Sequence, residues 1–99
     1  MGKPIQSFRD LVVWQKSVDL VTAIYQLSRG FPREEISGLT SQIRRAAVSI
    51  PCNIAEGRGK SSKGEFQQFL HHSRGSLAAV ETQIIIAQNL GYLSKEETE

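Results

Sequence analysis

The sequence predicts an all-α protein, an antiparallel up-and-down helical bundle, on three observations. Apolar residues recur at spacings of three and four through three long stretches. Gly30-Phe31-Pro32, Gly57-Arg58-Gly59 and Gly91 punctuate those stretches. No strand-like alternation of any length interrupts them, and there is no internal repeat or low-complexity segment.

The first stretch predicts a helix over about 8–29. Leu11, Trp14, Val18, Val21 and Tyr25 form a bundle seam, and Val13, Leu20, Ile24 and Leu27 widen it. Gly30 sits where a C-terminal cap is expected, and Pro32 blocks continuation. The second helix is predicted over 33–57, opening at Pro32-Arg33-Glu34-Glu35 with acids near its positive end. Ile36 is expected to pack inward; Ser37-Gly38 reads either as a turn or as an irregularity within the helix. Leu39, Ile43, Ala46, Ala47, Ile50 and Ile54 share one face, and Gln42, Arg45, Ser49, Asn53 and Glu56 share another. Pro51 interrupts the pattern, removes the N–H that would bond Ala47, and predicts a kink or loosened turn.

Ser62-Lys63-Gly64-Glu65 is a capping box that opens a third helix over about 63–90, roughly 40 Å long. Phe66, Leu70, Ser73, Leu77, Val80, Ile84 and Ala87 lie along one of its faces. The small residues of Gly75-Ser76-Leu77-Ala78-Ala79 predict a close helix crossing there. Gly91 caps this helix. A second capping box, Ser94-Lys95-Glu96-Glu97, begins a fourth helix at 94–99, and the chain stops at Glu99. A fourth helix that is missing or only begun leaves wide apolar stripes uncovered, which favours an oligomer over a monomer.

Ninety-nine residues make a single domain. The net charge is only +2, so the balance alone selects no partner. Its distribution is more telling: Arg44, Arg45, Arg58, Lys60, Lys63 and Arg74 face only Glu56 and Glu65 in the middle of the chain, and the tail is acidic. One cysteine, Cys52, excludes an internal disulfide and suits a reducing cytoplasm. No apolar run exceeds four residues, as at Ile84 to Ala87, so neither a signal peptide nor a membrane span is expected.

QIRRAAVSIPCNIAEG, residues 42–57, resembles the signature of the bacterial four-helix bundle protein family. Members of that family are often encoded within intervening sequences of large-subunit ribosomal RNA genes. FRDLVVWQKSVDLV, GLTSQ and EFQQFLHHSRGSLAAVETQIIIAQNLGYL extend the likeness from about Phe8 to Leu93. The resemblance implies a homo-oligomer, with a pentameric ring as the expected form. The family is also similar to the accessory protein of diversity-generating retroelements, a pentameric barrel with a basic surface that associates with nucleic acid and a reverse transcriptase. That likeness makes RNA or DNA, and a nucleic-acid enzyme, the expected partners.

The chemistry-bearing residues do not compose an active site. His71 and His72 are adjacent on a helix, point about 100° apart, and have no ligand three or four residues on. Cys52 has apolar neighbours and no activating group, so buried packing is its expected role. Glu56 is a lone carboxylate without a catalytic partner. Neither an enzyme nor any cofactor or metal is expected. The stripe Gln42, Arg45, Ser49, Asn53 and Glu56 is read as a structural ladder that fixes helix register, with Asn53 reaching a carbonyl freed by Pro51. Arg44, Arg45, Arg58, Lys60, Lys63 and Arg74 are the candidate nucleic-acid contacts, holding phosphate backbone without reading bases. The alternative is a purely structural or protein-interaction module.

Overall fold

The computed structural model describes residues 7–59 and 62–98. Its helices are α1 (Val12–Ser28), α2 (Leu39–Gly59) and α3 (Lys63–Asn89), with single 3-10 turns at Phe8–Asp10, Arg33–Glu35 and Glu96–Thr98. The head of α2 lies beside the tail of α1, where Arg44 donates to Ser28. Midway along α3, Ser73 donates to the Ile50 carbonyl and Ser76 meets Ser49. Both neighbours therefore run antiparallel to α2, as the sequence predicts.

α2 is the shared partner. α1 and α3 each pack along it but barely touch one another. The molecule is correspondingly flat, 45 × 27 × 18 Å, three helices side by side rather than a closed bundle. Ile43, Ala47, Ile50 and Ile54 of α2 meet Ile24 of α1 and Val80 and Ala87 of α3, with Phe31 and Leu93 sealing one end. Burying a side chain such as Ile54 contributes about 1.5–3 kcal/mol. A hydroxyl pair such as Ser49 and Ser76 adds roughly 0.5–1.5 kcal/mol. Apolar burial along α2 therefore sets the fold, and the polar contacts adjust its register.

The helix ends differ from expectation for local reasons. Ser7 and Asp10 cap the 3-10 turn Phe8–Asp10, and Leu11 is extended. That break lets the Phe8 ring turn back edge-on to Trp14, with centroids 5.2 Å apart. α1 begins only at Val12. Its tail closes with bonds three residues back, from Gly30 to Leu27 at 3.4 Å and from Phe31 to Ser28 at 3.1 Å, and Gly30 does not take the left-handed cap conformation. The expected helix over 33–57 divides into a 3-10 turn and α2, separated by a turn at 36–38. Glu35 explains the division. Its carboxylate leaves the helical path to accept the Leu39 N–H at 3.1 Å and the Tyr92 hydroxyl at 2.9 Å. A side chain on Gly38 would collide with that carboxylate. Ile36, expected inside, is 67% exposed because this turn carries it away from the core.

α2 runs through Pro51 and through Gly57 to Gly59. Cys52, expected to pack inside, is exposed, because two helical steps from Ile50 turn it about 200° away from the core stripe. At Gly57 α3 comes close to α2: an added Cβ would sit 2.6 Å from the Cβ of Phe69 and 3.0 Å from the Phe66 ring. The crossing expected at Gly75–Ala79 is not built that way. Gly75 and Ala78 face outward, and the contacts to α2 come from Ser76, which meets Ser49, and from Leu77, which lines a groove with Ile50 and Ile54. α3 ends as predicted. Gly91 has φ +80°, Gly91 N–H bonds Gln88 and Tyr92 N–H bonds Ala87, a Schellman closure. Beyond it Ser94 and Glu97 cap each other, but only the 3-10 turn Glu96–Thr98 follows, so the described residues hold three long helices.

Gly57→Ala forces apart a contact anchored at the Phe69 backbone, and should cost roughly 1–3 kcal/mol in urea denaturation. The bond to Glu35 raises the Tyr92 pKa, first through the hydrogen bond itself and then through desolvation and the nearby charge. A raised folded pKa contributes stability below the unfolded value, about 10, and loses it as pH rises through the folded value. Thermal melts should therefore fall off above pH 10 in the native chain and less steeply in Tyr92→Phe.

Candidate nucleic-acid interface

The polar stripe of α2 does not act as one ladder. Gln42, Arg45 and Glu56 are exposed, whereas Ser49 and Asn53 are half-buried. Ser49 donates to the Ala46 carbonyl at 2.8 Å, which leaves the single proton of Ser76 for the Ser49 oxygen. Asn53 donates to the Ser49 carbonyl at 2.7 Å, not to the Ala47 carbonyl freed by Pro51. Ser49 and Asn53 thus bond to backbone and across to α3, rather than to the next side chain along the stripe.

The basic candidates separate into three places. Arg44 and Arg45 lie on the first half of α2, Arg58 at its far end with Lys63 at the adjoining start of α3, and Arg74 further along α3. Lys60 lies outside the described residues. From Arg45 to Arg58 is about 20 Å along the helix. Arg58 is half-buried and faces a small hollow with Ser7 and Phe8. Arg74 rims an apolar groove of about 300 Å³ between α1 and α3, floored by Ile50 and Ile54 and walled by Val13, Leu70 and Leu77.

Arg44 is the most constrained. Its Nε donates to Ser28 Oγ at 2.7 Å, an Nη reaches the Tyr25 carbonyl at 3.4 Å, and its guanidinium lies 4.6 Å from the Tyr25 ring centroid. A fixed cation at the carbonyl end of α1 offsets the negative end of that helix. Arg44 thus joins α1 to α2 whatever else it binds.

Arg44 also stands between two adjoining hollows at the α1–α2 corner. One, of about 530 Å³, is lined by Tyr25, Ser41, Arg45 and Val48; the other, of about 260 Å³, by Arg29, Phe31, Pro32 and Arg33. Ile36, Thr40 and Arg44 line both. Four arginines therefore surround one trough. Two of them, Arg29 and Arg33, lie outside the sequence-based candidates. The signal for them is the chain reversal: residues flanking Gly30-Phe31-Pro32 must return beside the head of the next helix, where Arg44 and Arg45 are. The trough brings guanidinium and hydroxyl groups together over an apolar floor, a set suited to oxyanions and flat apolar groups. Arg44→Ala should cost roughly 1–3 kcal/mol in stability, from a charge-assisted bond and a helix-end charge, with Arg44→Lys recovering part of it in the same urea titration.

No helix among the described residues is long and apolar enough to cross a membrane. Comparison with curated proteins found no match. The family model described as 23S rRNA-intervening sequence protein matches residues 9–99, nearly the whole chain. With its all-helical architecture and α2 signature, this chain belongs to the 23S rRNA-intervening sequence protein family.

Proposed function

We propose that the chain is a non-enzymatic helical module that holds nucleic-acid backbone, without reading bases, through the arginines of the α1–α2 corner. The observation that carries this is the convergence of Arg29, Arg33, Arg44 and Arg45 on one concave surface. Arg58 and Lys63 lie at the other end of α2, a separation suited to an extended polyanion rather than a small one. Arginine can grip phosphate bidentately, and no recognition helix or aromatic platform accompanies these among the described residues to read sequence. The family is named for 23S rRNA, which makes RNA the first polymer to test. In this reading copies of the chain assemble, as a pentameric ring in the form the resemblance implies, and repeat the trough around the assembly in a reducing cytoplasm. A scaffold for a nucleic-acid enzyme is the same reading with a protein partner added.

A second reading, a purely protein-interaction module, is favoured by the groove between α1 and α3. Its walls are almost wholly apolar, and Val13 and Leu77 remain substantially exposed.

Binding of a labelled 20-nucleotide RNA, followed by anisotropy across a salt series, separates the two. Log affinity should fall linearly with log salt. Arg33→Glu with Arg45→Glu should weaken binding at least tenfold and lower the slope by about 1.4–1.8, because each neutralised phosphate contributes about 0.7–0.9. The helical circular dichroism should be unchanged, since neither side chain bonds to another part of the chain among the described residues. Native-like binding by this double variant would exclude the corner. No binding at low salt, with a salt-independent oligomer in light scattering, would put the interaction module in front.

A further inference from the structure

We infer that the head of α2 is a phosphate subsite, built by Thr40 and Ser41 and ringed by Arg29, Arg33 and Arg44. Thr40 is the key residue. It is only 6% exposed, yet it lines both hollows of the corner trough. Among the described residues its hydroxyl has no hydrogen-bond partner. Its oxygen is not fully buried, so solvent reaches it from the trough, and an arriving oxyanion would take the place of that solvent.

The backbone repeats the pattern. At the head of α2 the Leu39 N–H is taken by Glu35 and the Gln42 N–H by the Gly38 carbonyl. The N–H groups of Thr40 and Ser41 have no acceptor among the described residues. Orphan amides at a helix head carry partial positive charge and favour an oxyanion. Glu35 already offsets part of that charge, so the guanidinium groups are what make the site cationic. Arg44 spends Nε on Ser28 and one Nη on Tyr25, and retains further N–H groups for a ligand. A tetrahedral phosphate can accept from hydroxyl, amide and guanidinium at once. The larger hollow continues past Tyr25 and Val48, which leaves room for what the phosphate is esterified to.

Within the nucleic-acid reading above, on which this inference rests for its ligand, the phosphate is either a backbone diester or a terminal monoester. The test is a ¹H–¹⁵N titration of the full chain with inorganic phosphate, then with a 10-nucleotide RNA carrying a 5′-phosphate or a 5′-hydroxyl. Thr40→Val, which keeps the side-chain shape and removes the hydroxyl, is run beside it with circular dichroism to check folding. Saturable shifts of the Thr40 and Ser41 amides, and phosphate affinity at least tenfold weaker in Thr40→Val, are expected. Equal RNA affinities would identify the backbone diester, and a preference for the 5′-phosphate would identify a terminal monoester. Silent Thr40 and Ser41 amides would overturn the subsite; if RNA still bound with steep salt dependence, the nucleic-acid reading would stand without it. Shifts with phosphate but no binding of either RNA would keep the subsite for small phosphates and remove the nucleic-acid reading.

Discussion

Burial of the stripe Ile43, Ala47, Ile50 and Ile54 is the constraint on which the rest of this molecule depends. Those four residues lie on one face of α2 and are covered from two sides, by α1 and by α3. Because α1 and α3 barely meet, neither can be positioned except through α2. The polar contacts then set register along that face: Ser73 and Ser76 fix α3 against it, and Arg44 fixes the tail of α1. Glu35 closes the base, joining the head of α2 to the turn after α3 through Leu39 and Tyr92.

The same geometry produces the candidate site. A helix whose head is left short by a side-chain cap keeps some of its amides unpaired, and the reversal needed to reach that head carries Arg29 and Arg33 beside Arg44. The trough is thus a by-product of joining two antiparallel helices through a short connection. The apolar groove on the opposite side arises from the flatness of the three-helix layer. The two concavities differ in chemistry because one lies at helix ends, where backbone charge is concentrated, and the other between helix flanks, where it is not.

Much of this is legible in the sequence. The core stripe of α2, the Gly91 closure of α3 and the all-helical class follow from periodicity and cap chemistry, which act within a few residues. The differences arise where distant residues decide. Ile36 reads as apolar and inward until Glu35 is drawn to Leu39 and Tyr92, and Tyr92 is 57 residues beyond Glu35 along the chain. Gly57 reads as a helix terminator until Phe66 and Phe69 occupy the space beside it. Arg44 and Arg45 are both read from sequence as phosphate contacts, yet about 100° of helical rotation makes one a strut between helices and leaves the other exposed. The trough is half visible, because a one-dimensional charge count centred on 44–74 excludes Arg29 and Arg33.

The dependence of both outer helices on α2 also governs how the molecule opens. With so little direct contact to break between them, α1 can detach while the α2–α3 hairpin keeps its own packing at Gly57, Ser73 and Ser76. Only three residues of sequence separate α2 from α3, against ten between α1 and α2, so that hairpin is the more local unit and the natural nucleus, with α1 added later. Slow amide exchange would then concentrate in the middle of α2 and the facing turns of α3, grading to faster exchange in α1. The arginine trough, shared between α1 and α2, sits across the seam that parts first, so a ligand bound there would hold the less stable helix in place.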